Sequence, residues 1–290
     1  MSGTIATIIE GRPRDLGGFF VARLLPSKAM RSVGPFVFFD HMGPATLPAG
    51  KGIDVRPHPH IGLATVTYLF EGGIVHRDSL GFVQPIEPGA INWMTAGRGI
   101  AHSERTGDVL RKTGSQLHGL QLWVALPKAD EQTAPAFVHH PAATLPEIAL
   151  DGVKLRVLAG RAYGAASPVQ TLSPLFYVEA RMPESTSLPV PREPVERAAF
   201  VVEGEIECDG EAIAAPRMIV FARGSQATLS ARTDAHVMLL GGDPLDGERH
   251  LWWNFVSSSP ERIEQAKRDW AEGRFARVPG ETEFIPLPDF

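Results

Sequence analysis

The sequence predicts an all-β protein of two β-barrels in tandem, closed by one short C-terminal helix, and three observations carry that reading. Short segments rich in β-branched and aromatic residues recur between turn residues along the 290 positions, which include 29 glycines and 25 prolines. That is the pattern of sandwiches and barrels. The chain also repeats itself. YLFEGGIVHRD from Tyr68 aligns with FVVEGEIECDG from Phe200, so that Glu71-Gly72 matches Glu203-Gly204, and PGAINWMTAGRG from Pro88 aligns more loosely with PRMIVFARGSQ from Pro216. Two matches in the same order, at similar offset, favour duplication over a chance likeness of Gly-punctuated strands. Finally, helical spacing of apolar residues shows only near the end of the chain.

Taken in order, strands are expected over Thr65 to Phe70, Gly89 to Met94 and Leu120 to Ala125 in the first half. In the second half they are expected over Phe200 to Glu205 and Met218 to Phe221. Between Pro127 and Gly152 the chain turns rich in Ala, Pro and polar residues, which places a boundary near residue 140 and predicts barrels over 1–140 and 141–290. Ser258 with Glu261 offers a capping box, Pro260 suits a first helical turn, and Ile263, Ala266 and Trp270 recur at helical spacing before Gly273. A helix near 259–272 follows, with its stripe expected on the second barrel.

Composition excludes several classes. Lys and Arg number 28 against 33 Asp and Glu, for a net charge of -5, and no stretch gathers the basic patch that direct nucleic-acid binding needs. No apolar run approaches the roughly 18 residues of a spanning helix, and the N-terminal segment carries Glu10, Arg12, Arg14 and Asp15, so a soluble, cytoplasmic protein is expected. The single cysteine, Cys208, rules out an intramolecular disulfide and a thiolate cluster, which leaves nitrogen and oxygen ligands for any metal. Nucleophile elbow, P-loop and dinucleotide fingerprints are missing from the sequence.

Arg56-Pro57-His58-Pro59-His60 is the most informative run. Proline disfavours the α region for the residue before it, so Pro59 holds His58 extended as Pro57 does Arg56. Residues i and i+2 of an extended chain share a face, which puts both imidazoles on one side. His102-Ser103-Glu104 repeats the geometry after a turn at Gly97 and Gly99. Three imidazoles and one carboxylate on two extended pairs suit Fe(II), Mn, Co, Ni, Cu or Zn.

The string RPHPHIGLATVTYLFEGGIVHRDSLG, followed by PGAINWMTAGRGIAHSE, resembles the pirin family of the cupin superfamily. The likeness extends through PFVFFDHMGP, HGLQLWVALP, MLLGGDPL and WWNFVSSSPERI, and so spans most of the chain. It implies two cupin barrels (double-stranded β-helix, jelly-roll), the first binding one divalent metal, iron foremost, through His58, His60, His102 and Glu104. Many single-metal cupins carry a Glu shortly after their His-x-His; here the chain reads Ile61-Gly62-Leu63-Ala64-Thr65, so Glu104 must supply the carboxylate. In the second barrel, the positions matching His58 and His60 by offset from the Glu-Gly pair are Val190 and Arg192, and no metal is expected there. The activity implied is that of a flavonol dioxygenase, a quercetin 2,3-dioxygenase acting on a small aromatic substrate with O2, with Glu104 as a ligand or general base. The alternative is an iron-dependent redox or stress sensor, a co-regulator acting through a partner protein.

Other candidates read as structural. His76-Arg77-Asp78 suggests a strand-end salt bridge, Asp40-His41 and His118 suggest packing, and His139-His140 suggests a solvated pair in the linker. Trp252-Trp253 and Phe36 to Phe39 look like core. Cys208 has no histidine or basic neighbour in sequence to activate it.

Overall fold

The computed structural model describes residues 3–15 and 19–289. Each of its two compact units carries one four-stranded sheet and one larger antiparallel sheet. In the unit holding His41–Ala142, the first barrel, the four-stranded order is Asp54–His60, Ile100–Arg105, Ile74–Asp78, Val83–Ile86. The larger sheet runs Ala136–His140, Ile91–Thr95, Leu63–Glu71, Ser115–Ala125, Phe36–Leu47 and on. In the unit holding Ala143–Pro244, the second barrel, the four-stranded order is Ser187–Pro189, Thr228–Ala231, Glu205–Cys208, Glu211–Ala214. Its larger sheet runs Ile5–Glu10, Arg217–Phe221, Glu196–Glu203, Ala235–Gly242, Leu175–Met182 and on. The two orders correspond strand for strand, and Leu63–Glu71 and Glu196–Glu203 occupy matching places, as the sequence repeat requires.

The matched Glu-Gly pairs have a backbone reason. Gly72 and Gly204 sit at φ of +89° and +80°, each at the start of the turn into the next strand. A Cβ there would lie 2.2 Å from the carbonyl oxygen of Gln116 in one barrel and of Asp234 in the other. Only glycine fits so close an approach at positive φ.

The barrels are not contiguous in sequence, which corrects the division into 1–140 and 141–290. The main break falls near the expected place, at Ala142 and Ala143, but the end segments are exchanged. Ile5–Glu10 pairs with the edge strand Arg217–Phe221 of the second barrel, and Ala136–His140, inside the expected linker, pairs with Ile91–Thr95 of the first. Both additions cover a strand edge that would otherwise present unpaired N–H and C=O groups.

Residues Leu245–Phe290 belong to the first unit, and the C-terminal helix with them. That helix spans Pro260–Ala271, and its Ile263 and Ala266 pack with Ile61 and Phe255 instead of on the second barrel. A short parallel bridge from Ile61 to Phe255 supplies the apolar surface the stripe needs. Capping falls one residue later than expected: the Ser259 hydroxyl accepts from the N–H of Arg262 at 3.2 Å, while Ser258 donates to Glu131. A second helix, Asp108–Thr113, gave no sequence signal, because six residues with no buried side chain carry no periodicity. No helix among the described residues is long and apolar enough to cross a membrane.

Candidate metal centre

Pro57 and Pro59 lie in the edge strand Asp54–His60, where the ladder runs on one side only. That strand pairs antiparallel with Ile100–Arg105 in a register that sets His102 opposite His58, with a bulge between His102 and Glu104. All three histidines are buried, and one ring nitrogen from each lies within 4.8 Å of the others. The His58 and His102 ring centroids are 4.4 Å apart, and the Nε2 atoms of His60 and His102 are 3.1 Å apart.

In two of the three rings the second nitrogen fixes which atom faces the centre. His58 Nδ1 donates to the carbonyl oxygen of Arg56 at 2.9 Å, and His60 Nδ1 donates to that of Asn254 at 3.2 Å. A neutral imidazole that donates from Nδ1 presents a lone pair at Nε2. Burial pushes the basicity of all three imidazoles below its ordinary value, and mutual repulsion of the rings adds to this at His60 and His102. Neutral rings with converging nitrogens are the donor set a divalent cation takes, and the Nε2 atoms of His60 and His102 lie 3.1 Å apart. The cluster fits one metal ion.

Glu104 is buried on the same strand face but stands outside the group of three. Its Oε1 accepts from the Thr67 hydroxyl at 3.2 Å and its Oε2 from the Gln121 amide at 3.0 Å. The four expected residues are therefore brought together in one barrel, with three histidines converging and the carboxylate tethered beside them.

Support comes from far along the chain. Asn254 supplies the carbonyl that orients His60, and Trp123 packs edge-on to that ring with centroids 5.3 Å apart. Behind the ligand strands, Ser103 and Arg105 donate to Glu281, and the Ile285 N–H donates to the Pro57 carbonyl at 2.8 Å. Sequence reasoning missed Thr67, Gln121, Asn254 and Glu281, since each is a common polar residue with no local motif. Alternation within Leu63–Glu71 and Ser115–Ala125 was the one signal for Thr67 and Gln121.

The remaining candidates resolve individually. His76 and Asp78 are buried in the last residues of the strand Ile74–Asp78 and joined at 2.9 Å, and His76 also reaches His102. Asp40 takes both arms of Arg23, at 2.8 and 2.9 Å. His41 and His118 meet at 2.8 Å, and His139 bonds Asn92 at 2.7 Å. Burial, with Asp209 and Glu211 nearby, pushes the Cys208 thiol up to about 11, which makes it a poor nucleophile.

Comparison with known proteins agrees with this fold. The Pirin family model matches residues 18–124, and that of the Pirin C-terminal cupin domain matches 177–276. A pirin-like protein of Caulobacter vibrioides is 50% identical over 290 residues, covering 98% of this chain and all of that one. The chain belongs to the pirin family. Its likeness to mouse pirin is 30% over 266 residues, covering 89% of this chain and 88% of the other. Among solved structures, a quercetin 2,3-dioxygenase from Acinetobacter baumannii superposes with a TM-score of 0.91 at 35% identity, covering 98% of this chain and 95% of that one. Both barrels of this pirin are accordingly cupin barrels, and the histidine cluster lies in the first.

Proposed function

We propose that this pirin is a metal-dependent dioxygenase that cleaves flavonols such as quercetin, placing both atoms of O2 in the product and releasing carbon monoxide. The observation that carries the reading is the buried trio of neutral imidazoles with a carboxylate held beside it. His58, His60 and His102 would hold the metal through the nitrogens that face one another. Bound there, a divalent ion, Fe(II) first among the candidates and Ni, Mn, Co, Cu or Zn after it, would supply Lewis acidity toward the substrate's 3-hydroxyl.

Glu104 has two tasks open to it, fourth ligand or general base. As a base it would take the 3-hydroxyl proton at a carboxylate oxygen, and Thr67 and Gln121 keep that oxygen from rotating away. Burial excludes bulk water, so the flavonolate keeps its charge for reaction with O2 instead of being reprotonated. The likeness to a structure named as a quercetin 2,3-dioxygenase supports the choice of substrate class.

The test is aerobic loss of the flavonol absorbance band with protein loaded separately with Fe(II), Ni(II) or Mn(II), with carbon monoxide measured alongside. Catalytic consumption with carbon monoxide in equal amount is the expected result. An inert site, whose iron instead changes oxidation state reversibly and alters binding of a partner protein, would overturn it in favour of a sensor.

A further inference from the structure

The pair His76-Asp78 has a place in the site that its sequence did not suggest. On the strand Ile74–Asp78, Asp78 lies opposite His102 and His76 opposite Glu104, so both point to the ligand-bearing face. His76 is buried and stacks on Phe137 with ring centroids 4.2 Å apart and planes 8° apart, which fixes its ring. Its Nε2 meets Asp78 Oδ2 at 2.9 Å, and its Nδ1 lies 3.3 Å from His102 Nδ1. Asp78 is held in turn: its Oδ1 accepts the N–H groups of Leu80 at 2.9 Å and Phe82 at 3.2 Å.

We infer that Asp78 and His76 are positioning residues that set the tautomer of His102 and thereby aim its Nε2 lone pair at the metal. The inference rests on the proposed metal site and deepens it. A carboxylate only accepts, so His76 must carry its proton on Nε2. With one proton on its ring, His76 then has a lone pair on Nδ1, and the contact to His102 is satisfied when His102 donates from its own Nδ1. His102 is left with a bare Nε2, the atom that faces His60 Nε2. His58 and His60 obtain the same polarity from backbone carbonyls. Among the described residues His102 has no such carbonyl partner, and it receives its polarity through two side chains.

Asp78→Asn reverses the chain. The Leu80 and Phe82 N–H groups claim the amide oxygen, so the amide N–H faces His76 Nε2, which must accept. His76 then donates from Nδ1, and His102 must carry its proton on Nε2. The tautomer of His102 can be read from ring 15N shifts of the metal-free protein, and Co(II) affinity from titration against a chelator. Wild type is expected to show Nδ1–H at His102 and Asp78→Asn to show Nε2–H, with Co(II) affinity lower by about 10- to 100-fold. His76→Phe keeps the stack on Phe137 but loses the acceptor, and should weaken Co(II) binding comparably. His76→Asn returns a carbonyl oxygen near the position of Nδ1 and should recover affinity to within about threefold of wild type. An Nε2–H tautomer at His102 in wild type, or Co(II) affinity unchanged in both Asp78→Asn and His76→Phe, would overturn the inference. Failure of wild type itself to bind Co(II) would count against the metal site, and the tautomer comparison would still decide the relay.

Discussion

The two barrels share one strand order and differ in what they enclose. In the first, the strands Asp54–His60, Ile100–Arg105 and Ile74–Asp78 gather His58, His60, His102, Glu104 and His76. In the second, the corresponding strands close over a cluster that includes Val190, Leu188, Ile206, Leu229 and Val201. Val190, the counterpart of His58, is part of that apolar core, and Arg192, the counterpart of His60, is exposed and bonded to Gln226. Arg197, at the counterpart of Thr65, is buried and donates to the carbonyls of Pro191 and Ser225. The barrel itself therefore does not dictate a metal site; a few inward positions on two strands decide between ligands and packing.

The largest expected effect tests that contrast directly. Wild type should bind one metal per chain by elemental analysis, and His58→Ala with His102→Ala should bind none, since a single remaining imidazole is no site. Two equivalents in wild type, or metal surviving the double substitution, would break the contrast between the barrels. Next in size is Glu104→Gln, which keeps shape and one carbonyl oxygen but removes the charge. Turnover of quercetin per bound metal should fall at least about tenfold, as a general base typically contributes roughly 100-fold or more. Equal turnover per metal would leave Glu104 a bystander tethered by Thr67 and Gln121.

Much of this was legible in the sequence, and the limits have a physical cause. Proline on both sides of His58 dictated an extended pair, and Glu71-Gly72 against Glu203-Gly204 disclosed the duplication, because these signals are local. The exchange of end strands was hidden, since Ile5–Glu10 meets its partner more than 200 residues away and no local pattern encodes such pairing. The helix stripe was legible as buried, but not on which barrel. Asn254 works through its backbone oxygen, which any residue could supply. His76-Asp78 read as an isolated salt bridge because the strand that brings it to His102 lies some 25 residues off in the chain.

A smaller effect concerns acid. The three imidazoles are held below the ordinary histidine value of 6.5 by burial, so near pH 7 they are neutral and protons compete weakly with metal. In the metal-free protein, between those lowered values and 6.5, the unfolded chain binds protons that the folded one does not. Stability should thus decline as pH falls through that window and be level above it. His58→Val with His60→Val and His102→Val, which removes all three imidazoles, should flatten the decline. Denaturant midpoints of both metal-free proteins from pH 8 to 5 would show it, and parallel curves would assign the acid sensitivity to other groups.

The smallest effect distinguishes the two ways of dividing the chain. Ser259 caps the helix Pro260–Ala271 by accepting from Arg262, and removing such a cap costs about 1 kcal/mol. The helix buries Ile263 and Ala266 against Ile61 and Phe255, which belong to the metal-bearing unit, and Ile61 directly follows His60. Ser259→Ala should therefore loosen the first barrel and leave the second unchanged. Hydrogen exchange is the suitable measurement, because local opening is reported segment by segment. Protection should fall in Pro260–Ala271, Phe255–Ser257 and the end of Asp54–His60, with the strands Glu196–Glu203 and Ala235–Gly242 unaffected. Loss spread over Glu196–Glu203 instead would return the helix to the second barrel, where the order of the sequence alone would have put it.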